Sequence, residues 1–131
     1  MRFALMLLCL VVGTACDESP VGPIVPFGEP FTLAPDGIAA FDGVLVEFTG
    51  VSGDSRCPAD AVCIQGGDAL VHIRVTTGVR REYELHTGDS TRAAVVHGPF
   101  RISLIDLQPY PFSSRTIDED DYRATLTVVR E

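Results

Sequence analysis

The sequence contains no lysine. All ten of its basic side chains are arginines, set against 18 acidic ones, for a formal charge of −8 in 131 residues. So few cations argue against nucleic acid as a partner, because phosphates need cationic contacts. They argue equally against adsorption to anionic lipid by surface charge. No apolar run is long enough to cross a bilayer; Phe3 to Val12 is about half of the roughly 20 residues required. No stretch of ten or more residues repeats at 3.6, which removes a helical domain from consideration. Motifs that carry chemistry are absent as well. There is no Gly-x-Ser-x-Gly nucleophile turn and no glycine-rich phosphate loop between a strand and a helix.

What is present at the N-terminus reads as a targeting signal. Arg2 precedes the apolar run, and Gly13-Thr14-Ala15-Cys16 follows it. A cysteine directly after small residues resembles the bacterial lipoprotein leader, in which that cysteine is lipidated and becomes the mature N-terminus. Gly13 stands where that pattern usually has an aliphatic residue. Ordinary signal cleavage after Ala15 is the alternative. The resemblance implies residues 1–15 as signal peptide, lipidation at Cys16, and an exported chain held at the membrane of the cell envelope through its lipid only. Removing residues 1–15 takes Arg2 away and leaves nine arginines against 18 acidic groups. Residues 16–29 are rich in Pro and Gly without periodicity and predict a tether, with an irregular edge strand as the other reading. Residues 30–131 are expected to form a single monomeric domain.

From Phe31 onward, short alternating runs are separated by turn signals: Pro35-Asp36-Gly37, Asp42-Gly43, Gly78 and His97-Gly98-Pro99. About seven or eight short strands predict an all-β fold, an antiparallel β-sandwich or barrel-like sandwich. Val44 to Val51 is expected to be central, with Val44, Val46 and Phe48 on one face and Leu45 and Val51 on the other. Ala69–Val75 and Val79–Leu85 predict a hairpin around Thr76-Thr77-Gly78, with Val71 opposite Tyr83 and Arg74 opposite Arg80. The facing arginines are an unfavourable feature of that register. A parity shift at Ile105 and Leu107 predicts a bulge. Tyr122, Ala124, Leu126 and Val128 should point inward from the last strand.

The stretch Asp54-Ser55-Arg56-Cys57-Pro58 through Cys63 to Gly67 carries the only cysteines of the expected mature domain besides Cys16. Five intervening residues suit a small disulfide loop between Cys57 and Cys63, and export favours it. Zinc would need further ligands that the spacing does not supply. A redox pair would favour Cys-x-x-Cys. The same motif resembles a group of small bacterial exported domains, differing at Gln65, where an aromatic often stands. That resemblance implies an exported, disulfide-looped β domain and brings no catalytic residue.

Asp54 followed by Ser55 predicts a turn in which the carboxylate accepts the Arg56 amide. Asp54 and Arg56 are therefore expected either to brace the loop or to recognise a partner. The functional expectation is a non-enzymatic binding or structural module, with no cofactor, no metal and no catalytic residue. Its partner would be an envelope protein or a small ligand. Three alternatives stay open: a protease inhibitor presenting the loop around Arg56, a metal site, and a hydrolytic site around Ser55. His72, His86 and His97 are spread over separate elements and do not predict convergence. The acidic run at 118–121 is contiguous and lacks the alternation and glycine of a calcium loop. The long 108–121 segment reads as a solvated flap.

Overall fold

The computed structural model describes residues 24–131. The leader, Cys16 and the first part of the expected tether lie outside them. The fold is all-β, with eight strands: β1 Phe31–Leu33, β2 Ile38–Phe41, β3 Val44–Ser52, β4 Leu70–Thr76, β5 Arg80–His86, β6 Ala94–His97, β7 Phe100–Gln108 and β8 Arg123–Arg130. They make two four-stranded antiparallel sheets, ordered β1-β8-β7-β6 and β2-β3-β4-β5. The sheets face one another as a sandwich and do not close into a barrel.

Alternation supplies the core. Val44, Val46 and Phe48 of β3 and Val71, Ile73 and Val75 of β4 are buried against Ile102, Leu107, Ala124, Leu126 and Val128 of the other sheet. Fully burying a side chain of this size contributes about 1.5–3 kcal/mol. The inward positions of β8 are those its alternation predicts, with Tyr122 buried just ahead of the strand. β7 carries its bulge between Leu104 and Asp106, where the parity changes.

Four expectations need correction. A second bulge, between Phe48 and Gly50, reverses parity within β3. Val51 therefore pairs with Val71 and packs on the core, so it is not on the outer face with Leu45. The β4–β5 register differs by two residues from the expected one: Val71 pairs with Leu85, Ile73 with Tyr83 and Arg74 with Glu82. The loop is Thr77-Gly78-Val79, with Gly78 in its centre at φ 101°, a conformation glycine adopts without steric cost. This register replaces the repulsion of two arginines with ion pairs from Arg74 to Glu82 at 3.1 Å and to Glu47 at 2.8 Å. β6 begins at Ala94 instead of Thr91, because Asp89 holds the Thr91 amide at 2.9 Å and Arg92 Nε at 2.8 Å in a turn.

The fourth correction concerns the tether. From Ile24 the chain is already docked: Val25 N–H donates to Ala40 O, Gly28 N–H donates to Val128 O, and Phe27 stacks on Phe41 and Phe100. The packed domain therefore starts about six residues earlier than residue 30.

The registers give the sandwich two distinct ends. The turns β2–β3, β4–β5 and β6–β7 and the docked segment from Ile24 lie at one, the hairpin end. His97 joins the sheets there, with Nε2 2.8 Å from Thr77 Oγ1 and Nδ1 2.8 Å from Tyr83 Oη. The opposite end, the loop end, gathers residues 53–69, 87–93 and 109–122.

Candidate functional site

At the loop end, β3 finishes beside the end of β7 and the start of β8, and the chain leaves through Gly53-Asp54-Ser55-Arg56. Asp54 Oδ1 accepts the Arg56 amide at 3.3 Å, the turn its sequence predicts, and also Arg56 Nε at 2.9 Å. Asp54 Oδ2 accepts Arg56 Nη2 at 2.8 Å and the Tyr122 hydroxyl at 2.9 Å. The far side of the guanidinium donates to Leu107 O at 2.7 Å and Pro109 O at 3.0 Å, with the Tyr110 ring 5.4 Å from Arg56 Cζ. Arg56 is only 9% exposed.

Charge-assisted, two-pronged contacts of this kind are among the strongest hydrogen bonds available to a side chain. Burial pushes the Asp54 carboxyl up, but hydrogen bonds from Arg56 and Tyr122 outweigh it and hold the group below the usual carboxylate range. Burial likewise opposes the charge on Arg56, and Asp54 more than restores it. Burial together with the bond to Asp54 pushes Tyr122 up to about 12. Arg56 therefore points into the protein, where it ties three segments together. An inhibitor loop would need it outside.

The loop that follows is closed at its base. Ser55 N–H and Oγ–H donate to Asp68 O at 2.7 and 3.0 Å, and Asp68 N–H donates back to Ser55 Oγ at 3.1 Å. The strands of the loop approach so closely that a Cβ on Gly67 would lie 1.4 Å from Ser55 O. The Cys57–Cys63 disulfide, with 6.0 Å between Cα atoms, narrows the loop further out. Its flank is fastened to the 108–121 segment: Ala59 N–H donates to Pro111 O at 2.9 Å, and Asp60 Oδ1 accepts the Ser113 amide at 2.9 Å. That segment is thus not a free flap over 109–113. Val62 and Ile64 project from the loop fully exposed.

The two-residue change of register brings together side chains that sequence reasoning kept apart. His72 now pairs with Glu84, one step along from His86. His86 Nδ1 lies 2.5 Å from Asp68 Oδ2, and its Nε2 lies 3.2 Å from Glu84 Oε1. Burial raises Asp68, but the Gly88 amide and His86 hold it below its ordinary value. His72 Nε2 is 2.6 Å from Ser52 Oγ and 4.0 Å from Glu84 Oε2.

A hydrolytic triad needs nucleophile and carboxylate on opposite ring nitrogens. At His72 both lie on Nε2, and at His86 both nitrogens face carboxylates. Ser55 spends its hydroxyl on Asp68 backbone and meets no histidine. Among the described residues no three His, Cys, Asp or Glu side chains are placed to hold a metal ion. The run Asp118 to Asp121 forms a single 3-10 turn at Glu119–Asp121, with Arg123 Nη1 donating to Asp120 O at 2.7 Å.

A groove of about 260 Å³ runs beside the loop, lined by Arg56, Cys57, Gly66, Ile105, Leu107 and Tyr110 among others. It falls just below the roughly 300–1,000 Å³ of typical small-molecule sites. The chain matches no protein-family model, no curated protein and no solved structure. Its functional reading therefore rests on this geometry.

Proposed function

We propose that this chain is an exported, lipid-tethered, non-enzymatic binding module that displays residues 54–68 as a preformed recognition element. The observation that carries the reading is the contrast within that loop. Its base and flanks are fixed by Arg56, by the Ser55–Asp68 clasp, by the disulfide and by Ala59 and Asp60. Its tip, Val62 and Ile64, is left wholly in solvent. A purely structural clasp has no use for two bare aliphatic side chains, whereas rigidity lowers the ordering cost of binding.

Asp54 and Arg56 act as the brace, and Val62 and Ile64 make the contact. Incorporation of labelled palmitate into the full-length protein, lost in Cys16→Ser, is expected of the tethered form. Release of soluble protein with an unmodified Cys16 would instead make it a secreted module.

A further inference from the structure

We infer that the loop end docks a protein partner whose binding face is an apolar pocket rimmed by arginine or lysine. The inference rests on reading the chain as a binding module and names its partner's chemistry. The apolar residues there are not scattered. Val62 and Ile64 stand free on the disulfide loop, and Tyr110 and Phe112, both about half exposed, belong to the segment hydrogen-bonded to it at Pro111. Exposed Ile105 shares the neighbouring groove with Tyr110, Cys57 and Gly66. A rigid aliphatic tip flanked by aromatics is the composition of an interface centre.

The charge around it selects the occupant. Asp60, Asp106 and the exposed run Asp118 to Asp121 lie at this end and outnumber its exposed arginines, Arg92, Arg115 and Arg123. At the hairpin end Arg80, Arg81, Arg101 and Arg130 are balanced by Glu29, Asp42, Glu82 and Glu131. Apolar centre and acidic rim call for an apolar pocket with a basic rim. A second copy of this chain would bring like charges together. An anionic lipid surface would be repelled. The contacts that close the loop come from Ser55, Arg56, Asp68, Ala59, Asp60 and the disulfide and involve neither Val62 nor Ile64. The partner therefore meets a finished shape, and truncating the tip should cost binding without cost to folding.

The test places a photo-reactive benzophenone residue at Val62 or Ile64 of the full-length chain in its expressing cell, with Val79 at the hairpin end as control. The expected result is an adduct with one discrete protein from the two tip positions and not from Val79. That protein, purified and identified, should bind the unmodified chain with an affinity that falls several-fold towards about 1 M NaCl, where the Debye length is about 3 Å. Val62→Ser should weaken it at least about tenfold, the loss of a buried aliphatic contact, with the melting temperature unchanged. Adducts with lipid or a second copy of the chain, or a protein partner indifferent to salt and to Val62→Ser, would overturn the inference. A protein captured from Val79 but not from the tip would do so while leaving the binding-module reading intact. No protein adduct at any of the three positions would sink both.

Discussion

The hydroxyl of Tyr122 donates at 2.9 Å to the same Asp54 oxygen that holds Arg56 Nη2, across 68 residues of chain. Through this one carboxylate the start of the last strand is joined to the root of the disulfide loop. Arg56 then extends the connection to the carbonyls of Leu107 and Pro109. The brace is thus built from side chains that are buried and mutually dependent, and its removal should be felt well beyond residue 56.

Arg56→Ala is expected to destabilise the domain by about 3 kcal/mol, since it strips the part-buried Asp54 carboxylate of its countercharge and leaves the Leu107 and Pro109 carbonyls without their donor. Arg56→Lys should recover only part, because an ammonium cannot present a planar fork to two oxygens and two carbonyls together. Urea unfolding with an unchanged m-value would register both losses. A wild-type midpoint for Arg56→Ala would contradict the bracing role.

The brace also sets a pH dependence at both extremes. Asp54 is held below its ordinary value of 3.8 in the folded state. Its contribution is full above that pH and is lost as pH falls through the lowered folded value. Asp54→Asn should therefore unfold more easily at neutral pH and show a shallower further loss in acid. Tyr122 shifts the other way, from 10 to about 12. Its contribution is complete below about pH 10 and declines as pH rises towards 12, a decline that Tyr122→Phe should abolish. Thermal melts from pH 2 to 12 would read both.

Gly67→Ala tests the close approach at the loop base. A methyl group cannot sit 1.4 Å from Ser55 O, so the two sides must part and the Ser55–Asp68 hydrogen bonds must break. A loss of about 2 kcal/mol is expected, in the range of overpacking, with the sandwich still folded. Retained slow exchange of the Ser55 and Asp68 amides in this variant would contradict it.

Reduction of Cys57–Cys63 should cost about 2 kcal/mol by the chain-entropy relation for so small a loop. The sandwich core lies elsewhere and should survive. Mass spectrometry of the unreduced protein should find both thiols protected from alkylation, and circular dichroism after reduction should keep its β signature. Two alkylated thiols before reduction would contradict the pairing.

Much of the fold was legible because burial imposes a period of two. Tyr122, Ala124, Leu126 and Val128 announced the inner face of β8, and the parity break after Leu104 announced its neighbour's bulge. The bulge in β3 was hidden because it falls at Thr49 and Gly50, which carry no strong apolar mark. Placing Gly78 last in the turn, where it in fact lies at the centre, displaces the β4–β5 register by two residues. The clash of Arg74 with Arg80 was the signal that could have corrected it, since a shift of two gives Arg74 a glutamate.

At the site, the Asp54–Arg56 turn is local and could be read from sequence. The partners Leu107, Pro109 and Tyr122 are contributed by distant segments and leave no local trace. The convergence of His72 and His86 on Glu84 was missed for the same reason as the register.

The account turns on a loop that is rigid at its base and bare at its tip, and amide hydrogen exchange measures that most directly. In the wild-type protein the amides of Ser55, Ala59 and Asp68, all hydrogen-bonded, should exchange far more slowly than unprotected peptide, while Val62 and Ile64 exchange freely. In Arg56→Ala the protection should fall together across 54–68 and 109–113 while β3, β4 and β8 keep theirs. Free exchange throughout 54–68 in the wild type, or loop protection untouched by Arg56→Ala, would contradict a preformed element held by that arginine.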